Sequence, residues 1–430
     1  MVFKNRKVTV VGLGKSGFAA AKFLHAQKAL VRVTEASEKK EALENASYLR
    51  GLGIPVETGG HTELFIRGSI CLVTSPGVFR KSAPLEWARK KKIPIISEVE
   101  LASFFCKGRI VAVTGSNGKT TTCHMIYRVL TDAGRDVVLC GNVGVSFLDT
   151  LASISRGTLV VLELSSFQLE DSPTLRPDIA VVLNIHSNHL DRHGDIETYA
   201  RAKENIFRNQ KKTDLVVLNS DDLRVRAMAK KTASRVIFFS AKDKPLFRPE
   251  HCALKGGHNF LNMMAASIVA RRLRVPLPKI RKTLESFSTL AHRIEPVGEV
   301  GGVHFVNDSK STTVDSTRMA LLTVEAPIVL IAGGRDKGAP FAQLEGLLIE
   351  KLRAAVVYGE ARERIAECWK SLPCLRMEKD FRAAVRLAYA EAKPGDTVLL
   401  SPMCTSFDQF SSFEERGEMF RRLVKELSLR

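Results

Sequence analysis

What this 430-residue chain lacks narrows its class before any motif is considered. Its eight cysteines are scattered, with no Cys-x-x-Cys pair. Cys71, Cys123 and Cys140 sit inside apolar runs and read as buried thiols, which fits a reducing cytoplasm better than secretion. No apolar stretch reaches ~18 residues, so no membrane span is predicted. The N-terminus runs straight into a strand at Val8–Val11, and no signal peptide is expected. There is no internal repeat and no low-complexity linker. Acidic residues are in deficit: 65 Lys and Arg stand against 46 Asp and Glu, a net charge of +19. Basic runs such as Arg89–Lys92 are nonetheless short and carry no interleaved aromatics. Solvated helix faces are therefore the default, and no nucleic-acid partner is expected. A positive field suits small polyanionic substrates instead.

What is present reads as a soluble α/β protein with parallel sheets, because strand and helix patterns alternate throughout. Three sections are predicted, 1–98, 99–291 and 292–430, each opening on its own apolar strand. The most informative run starts at the β-branched segment Ile110–Val113 and continues through Thr114, Gly115, Ser116, Asn117, Gly118, Lys119, Thr120 and Thr121. This is a shortened phosphate loop, with Val113 where the usual spacing has glycine. Its glycines let several backbone N–H groups face one anion. Lys119 adds charge, Thr120 offers a hydroxyl to Mg²⁺, and the following helix turns its positive end to the phosphates.

The first section holds a full G-x-G-x-x-G, from Gly12 through Gly14, Lys15 and Ser16 to Gly17, with Glu35 at the end of the next strand. Taken alone, that acid suggests NAD. The same pattern also serves a Rossmann-like unit that binds another nucleotide phosphate, or none. Ser75-Pro76-Gly77 is a second candidate anion-facing turn. In the second section Glu163 stands near the end of the strand Thr158–Leu164, either as a metal ligand or as a turn cap. His189 is either a metal ligand or a hydrogen-bonded turn residue. Lys203, on a helix Ile196–Asn209, reads by spacing as part of a solvated face. The third section's strands, His304–Val306, Ile328–Ala332, Ala354–Tyr358 and Thr397–Leu400, each end in polar residues, which places its chemistry on one rim.

In order along the chain, these runs resemble the Mur ligases, ATP-dependent amide ligases of peptidoglycan precursor synthesis. The resemblance covers essentially the whole sequence. It rests on Thr114–Thr121, Gly141–Gly144, Glu163–Leu169, His189–Arg192, Tyr199 with Lys203, His258-Asn259 with Asn262, and His292-Arg293. It continues through Asn307–Thr312, Gly333–Lys337, Ser401–Phe410, Phe413-Glu414 and Arg416-Gly417.

The resemblance implies three domains: a Rossmann-like N-terminal domain for a UDP substrate, a central P-loop-type ATP domain and a Rossmann-like C-terminal amino-acid domain. It implies ATP and two Mg²⁺ sites. Lys119 would bind the transferring phosphoryl group within the Gly115–Thr121 cradle. Thr120 and Glu163 would hold one Mg²⁺, and His189 with an N-carbamylated Lys203 the second. Asn142 would lie at the γ-phosphate and the substrate. Asn259 and Asn262 would lie near adenine and ribose, with Arg293, Asp308 and Lys310. Gly14, Lys15, Ser16, Glu35, Ser75 and Gly77 would hold UDP rather than NAD.

Thr312, Lys337, Ser406 and the backbone near Phe413 would hold D-glutamate, to be joined to UDP-N-acetylmuramoyl-L-alanine. The Asp-Asn-Pro-Arg run of the diaminopimelate-adding relative is absent. A cytoplasmic monomer is expected. Two positions depart from the family pattern: Asn188 stands where Asp is frequent, and Thr313 where Asn is common. The rival reading, an NAD-dependent oxidoreductase built on the first motif, has no use for a phosphate loop at Gly115.

Overall fold

Val8–Val11, Val111–Val113 and Ile328–Ala332 are fully buried apolar or β-branched runs, and each becomes an inner strand of its own sheet. The computed structural model describes residues 3–142, 145–186, 190–288, 291–336, 338–372 and 374–429. The first sheet contains β1 (Lys7–Val11), β2 (Leu30–Glu35), β3 (Val56–Thr58), β4 (Cys71–Thr74) and β5 (Ile95–Ser97), in the order β3-β2-β1-β4-β5, all parallel. The second contains β6 (Arg109–Thr114), β7 (Val137–Gly141), β8 (Leu159–Glu163), β9 (Ile179–Val182), β10 (Leu215–Asn219) and β11 (Arg235–Phe239). Their order is β11-β10-β9-β6-β8-β7, again all parallel.

The third sheet departs from the all-parallel expectation. It contains β12 (Glu295–Val300), β13 (Val303–Asn307), β14 (Ile328–Gly333), β15 (Leu352–Tyr358), β16 (Leu375–Glu378) and β17 (Thr397–Met403), ordered β12-β13-β17-β14-β15-β16. The edge strand β12 pairs antiparallel with β13, because only Gly301 and Gly302 separate them and so short a link closes a hairpin. Pro402 lies inside the central strand β17. The register against β14 shifts between Ile331 and Gly333 at that point, so the proline's missing N–H falls at an irregularity rather than in the ladder. Met403 then takes a left-handed conformation (φ 59°) and turns the chain out of the sheet.

The chain forms two compact units. One comprises Met1–Cys252 with Asn259–Ser286, and the other Ala253–His258 with Phe287–Arg430. The first unit therefore holds two sheets, and one apolar core runs through both, from Val8, Val10 and Val73 to Ala112, Val160 and Val182. The link between the sheets is aromatic: Phe105 stacks on Phe3 at 6.0 Å and meets Phe23 edge-on at 4.8 Å. Cys71, Cys123 and Cys140 are buried thiols, and Arg89–Lys92 are exposed.

In the second unit Trp369 is fully buried against the third sheet, and its indole N–H donates to the Phe341 carbonyl at 3.0 Å. Trp369→Ala leaves a cavity and an orphaned carbonyl, and should cost about 3–5 kcal/mol of stability. Urea denaturation followed by circular dichroism measures it, and a loss under ~1 kcal/mol would contradict this packing.

Candidate active site

In an open parallel sheet a ligand crevice forms where neighbouring strands depart in opposite directions, at their carboxyl ends. In the second sheet that strand is β6, between β9 and β8. The phosphate loop leaves β6 there, Glu163 closes β8, and Asn184 follows β9. The loop is pinned on several sides. Asn184 accepts from the Asn117 N–H at 2.8 Å, returns its amide to the Asn117 carbonyl at 3.2 Å, and takes the Ser116 N–H on its own carbonyl at 2.9 Å. The Ser116 hydroxyl donates to the His186 carbonyl at 3.1 Å and receives the His186 N–H at 2.9 Å.

Gly118 is left-handed (φ 80°) and caps the helix Lys119–Asp132. A side chain there would run into the Asn262 amide, so Asn262 packs directly on the loop. Asn259 lies beside it on the same helix, Gly257–Arg272. Lys119 folds back over the loop and donates to the carbonyls of Gly115 and Ser116, both at 2.9 Å. Thr120 and Thr121 are buried in the first turn of the helix.

Lys203 overturns its reading as a solvated face. The helix Ile196–Glu204, shorter than predicted, carries it inward, and it is fully buried. Its side-chain nitrogen donates to the Gly115 carbonyl at 2.9 Å and to the Thr114 hydroxyl at 3.3 Å, and lies 4.7 Å from the Tyr199 ring centre. Burial, reinforced by the Lys119 charge and opposed by Glu163, holds its pKa well below the ordinary lysine value. Glu163 is also buried. One of its carboxylate oxygens accepts from the Asn142 amide at 2.9 Å, and the other, Oε2, has no hydrogen-bond partner among the described residues. A buried, half-satisfied carboxylate beside a phosphate loop fits a divalent cation. Among the described residues no group of three His, Cys, Asp or Glu side chains encloses a metal. His189 and Asn188 lie outside the described residues.

The equivalent crevice of the first sheet, between β1 and β4, is a cavity of about 620 Å³. Gly14, Lys15, Ser16, Glu35, Ser75 and Gly77 all line it, together with Asn142 and Gln168 from the second sheet's side. Glu35 also orders the glycine-rich turn. Its carboxylate accepts from the Leu13 N–H at 2.5 Å and the Ser37 N–H at 2.7 Å. Arg192 holds the far wall. It donates to the carbonyls of Pro76 and Val78, at 3.1 and 3.0 Å, and lies 4.0 Å over the Phe167 ring.

In the second unit the candidate residues follow β13 and β17. Lys310 sits 3.9 Å over the Phe413 ring, the Ser309 hydroxyl donates to the Phe413 carbonyl at 2.8 Å, and the Thr312 N–H donates to the Lys310 carbonyl at 2.9 Å. Asp308 is buried, accepts from Ser401 at 2.9 Å, and burial pushes its carboxyl up to about 6, with Arg293 opposing. Ser406 is buried in the turn after Met403. Thr313 is the capping residue of the helix Val314–Thr323. Lys337 lies outside the described residues.

Sequence reasoning gave no role to Asn184, Glu98 or the hydrogen bonding of Arg416. Asn184 had a signal, as the first polar residue after a buried strand. Arg416 was marked only by the family pattern: it is fully buried, and all of its nitrogens are bonded to Ser309, Cys404 and Tyr358.

Removing the Asn184 side chain strips two bonds from the phosphate loop. Asn184→Ala should lower stability by about 1–3 kcal/mol and weaken ATP binding by about tenfold. Thermal unfolding and nucleotide titration report the two effects, and unchanged affinity would show that the loop needs no such staple.

Residues 6–97 match the Mur ligase MurD-like N-terminal domain, 113–251 the Mur ligase middle domain and 292–404 the Mur ligase glutamate ligase domain. The UDP-N-acetylmuramoylalanine–D-glutamate ligase of Koribacter versatilis (strain Ellin345) is 40% identical, over 100% of this chain and 99% of its own. Two solved structures share the fold. A UDP-N-acetylmuramate–alanine ligase from Thermotoga maritima has a TM-score of 0.61 at 20% identity, covering 98% of this chain and 99% of its own. A MurF ligase from Thermotoga maritima, in complex with ADP, has a TM-score of 0.61 at 21% identity, covering 98% and 96%. Three matched domains in order and a relative this similar along its full length place the chain in the Mur ligase family.

Proposed function

We propose that the protein is an ATP-dependent ligase that joins D-glutamate to UDP-N-acetylmuramoyl-L-alanine in peptidoglycan precursor synthesis. The observation that carries the chemistry is the grouping of Lys119, Lys203 and the unpartnered oxygen of Glu163 around one phosphate loop. The D-glutamate choice is supported by the glutamate ligase domain match and by the name of the relative similar along its full length.

In this reading the loop N–H groups and Lys119 cradle the β- and γ-phosphates of ATP. The alanyl carboxylate of the UDP substrate attacks the γ-phosphorus, the bond to the β-phosphate oxygen breaks, and ADP leaves. The D-glutamate amine then adds to the acyl phosphate carbonyl, and phosphate departs from the tetrahedral intermediate with loss of the amine proton. The enzyme's contribution is positioning and neutralisation of developing charge.

Mg²⁺, held by Thr120 and Glu163 at one site and by His189 and a carbamylated Lys203 at the other, would supply further neutralisation. A carbamate forms on a neutral amine, and burial favours that form of Lys203. Six residues of the first-sheet cavity would take the UDP moiety, Gly14, Lys15, Ser16, Glu35, Ser75 and Gly77, with Asn142 at the substrate and the γ-phosphate. Thr312, Lys337, Ser406 and the Phe413 backbone would take D-glutamate, and Lys310 would serve ATP.

Three outcomes test this. Lys119→Ala should fold normally yet lose at least about 100-fold in phosphate release, because it removes a charge that the transition state needs. The wild type should release phosphate from ATP only with both UDP-N-acetylmuramoyl-L-alanine and D-glutamate present; equal turnover with L-alanine, L-lysine or diaminopimelate would overturn the assignment. Lys203→Ala should be nearly inactive and partly recover with short carboxylates, which replace the carbamate's oxygens. Full activity without any additive would dismiss the carbamate.

A further inference from the structure

His61 belongs to none of the roles above, yet it lines the first-sheet cavity. It follows β3 on a turn that two contacts close. The Thr62 N–H donates to Glu57 Oε1 at 3.0 Å, and the Thr62 hydroxyl to Glu57 Oε2 at 2.7 Å. Gly59, left-handed at φ 77°, turns the chain where a side chain would strike Glu38. The ring is fixed as well as the backbone. Its Nδ1 lies 2.6 Å from the hydroxyl of Thr34, which is fully buried in β2. Among the described residues that hydroxyl has no other partner. A buried hydroxyl has to place its proton on an acceptor. Here the acceptor is Nδ1, so the proton of the neutral ring sits on Nε2. Burial lowers the His61 pKa, with Glu57 and Glu35 opposing, which keeps the ring neutral at pH 7. Neither carboxylate bonds to the ring: Glu57 is taken by Thr62, and Glu35 by the Leu13 and Ser37 N–H groups. The Nε2–H therefore remains as a donor for an occupant of the cavity.

The strand order β3-β2-β1-β4-β5 gives the cavity a direction. The second sheet joins at the β5 edge. Ser97, which ends β5, is bonded to Ser172 at 2.7 Å, and buried Glu98 accepts from the Gln168 amide at 2.7 Å. Asn142 and Gln168 line the cavity from that side, and Asn142 also reaches Glu163 beside the phosphate loop. The substrate end that reacts with ATP belongs there, so the base at the other end extends toward β3. Glu35, closing β2, stands at the ribose position of such a fold. One strand further out, ~4.8 Å, the chain presents His61.

The base edge farthest from the ribose reaches that far. In uracil this edge carries O4, an acceptor; in cytosine it carries an amino group, a donor. A fixed N–H pairs with the first and is left unpaired by the second, and a site built around such a bond rejects the analogue that lacks it. We propose that His61 is a specificity-determining residue whose Nε2–H donates to uracil O4, so that the cavity accepts uridine nucleotides and rejects cytidine nucleotides. Thr34 acts at one remove, by holding the tautomer. The inference rests on the reading of this cavity as the site for the UDP substrate.

Calorimetric titration of the full chain with UDP and with CDP, with ADP in excess to fill the phosphate loop, tests this. The wild type should bind UDP at least about tenfold more tightly than CDP. His61→Phe keeps the bulk of the ring without its nitrogens. It should weaken UDP about tenfold, leave CDP within about twofold and erase the preference, with ADP affinity unchanged. His61→Gln, whose amide carries an N–H near the place of Nε2, should keep most of the preference. Thr34→Val frees the tautomer and should narrow the preference to about threefold. In two-bond ¹H–¹⁵N spectra of histidine-labelled wild type, His61 should appear as the Nε2–H tautomer, and its Nε2 signal should move with UDP. Equal wild-type affinity for UDP and CDP, an Nδ1–H tautomer, or a His61→Phe variant that keeps the wild-type preference overturns the inference and leaves the cavity reading intact. If neither UDP nor UDP-N-acetylmuramoyl-L-alanine binds, both fall. The wild-type ratio and tautomer decide the matter even if the Phe variant folds poorly.

Discussion

Two lysine side-chain nitrogens converge on one carbonyl. Lys119 from the phosphate loop's own helix and Lys203 from a helix 84 residues further on both donate to the oxygen of Gly115 at 2.9 Å. This contact occupies the Gly115 carbonyl, while the N–H groups of Ser116 and Asn117 are held by Asn184. It also gives the burial of Lys203 a counterpart, since a charged amine without acceptors would be costly there. The two amines repel, and that repulsion adds to burial in holding Lys203 low.

The fold was legible where burial is simple. The runs Val8–Val11, Ile110–Val113 and Ile328–Ala332 are apolar for long enough to read as inner strands, and they are. Edge strands such as β3, β5 and β16 are only three or four residues long, too short for a periodic pattern to show. The antiparallel β12 escaped because Glu295–Val300 alternates exposed and half-buried positions and contains a proline and a glycine.

At the site, the glycine-rich turns identified themselves, because left-handed backbone at Gly118 and close packing at Gly17 admit no side chain. Lys203 was illegible from spacing. Its neighbours Arg201 and Glu204 share its segment, the first exposed and the second half-buried against Lys231, and only the family resemblance singled Lys203 out. Glu98 was hidden for the opposite reason. An acid at the start of a helix is so ordinary that nothing in the sequence says this one is inside.

The shared core of the first two sheets bears on modularity. Matched family domains end at residue 97 and resume at 113, which invites treating the N-terminal sheet as a portable nucleotide-binding cassette. The Phe3, Phe23 and Phe105 cluster straddles that boundary, and Ser97 and Glu98 are bonded to Ser172 and Gln168 beyond it. Cutting the chain there would bare an aromatic face and strand a carboxyl without its amide. The boundary that sequence families draw is thus a seam of descent and not a line along which this protein comes apart.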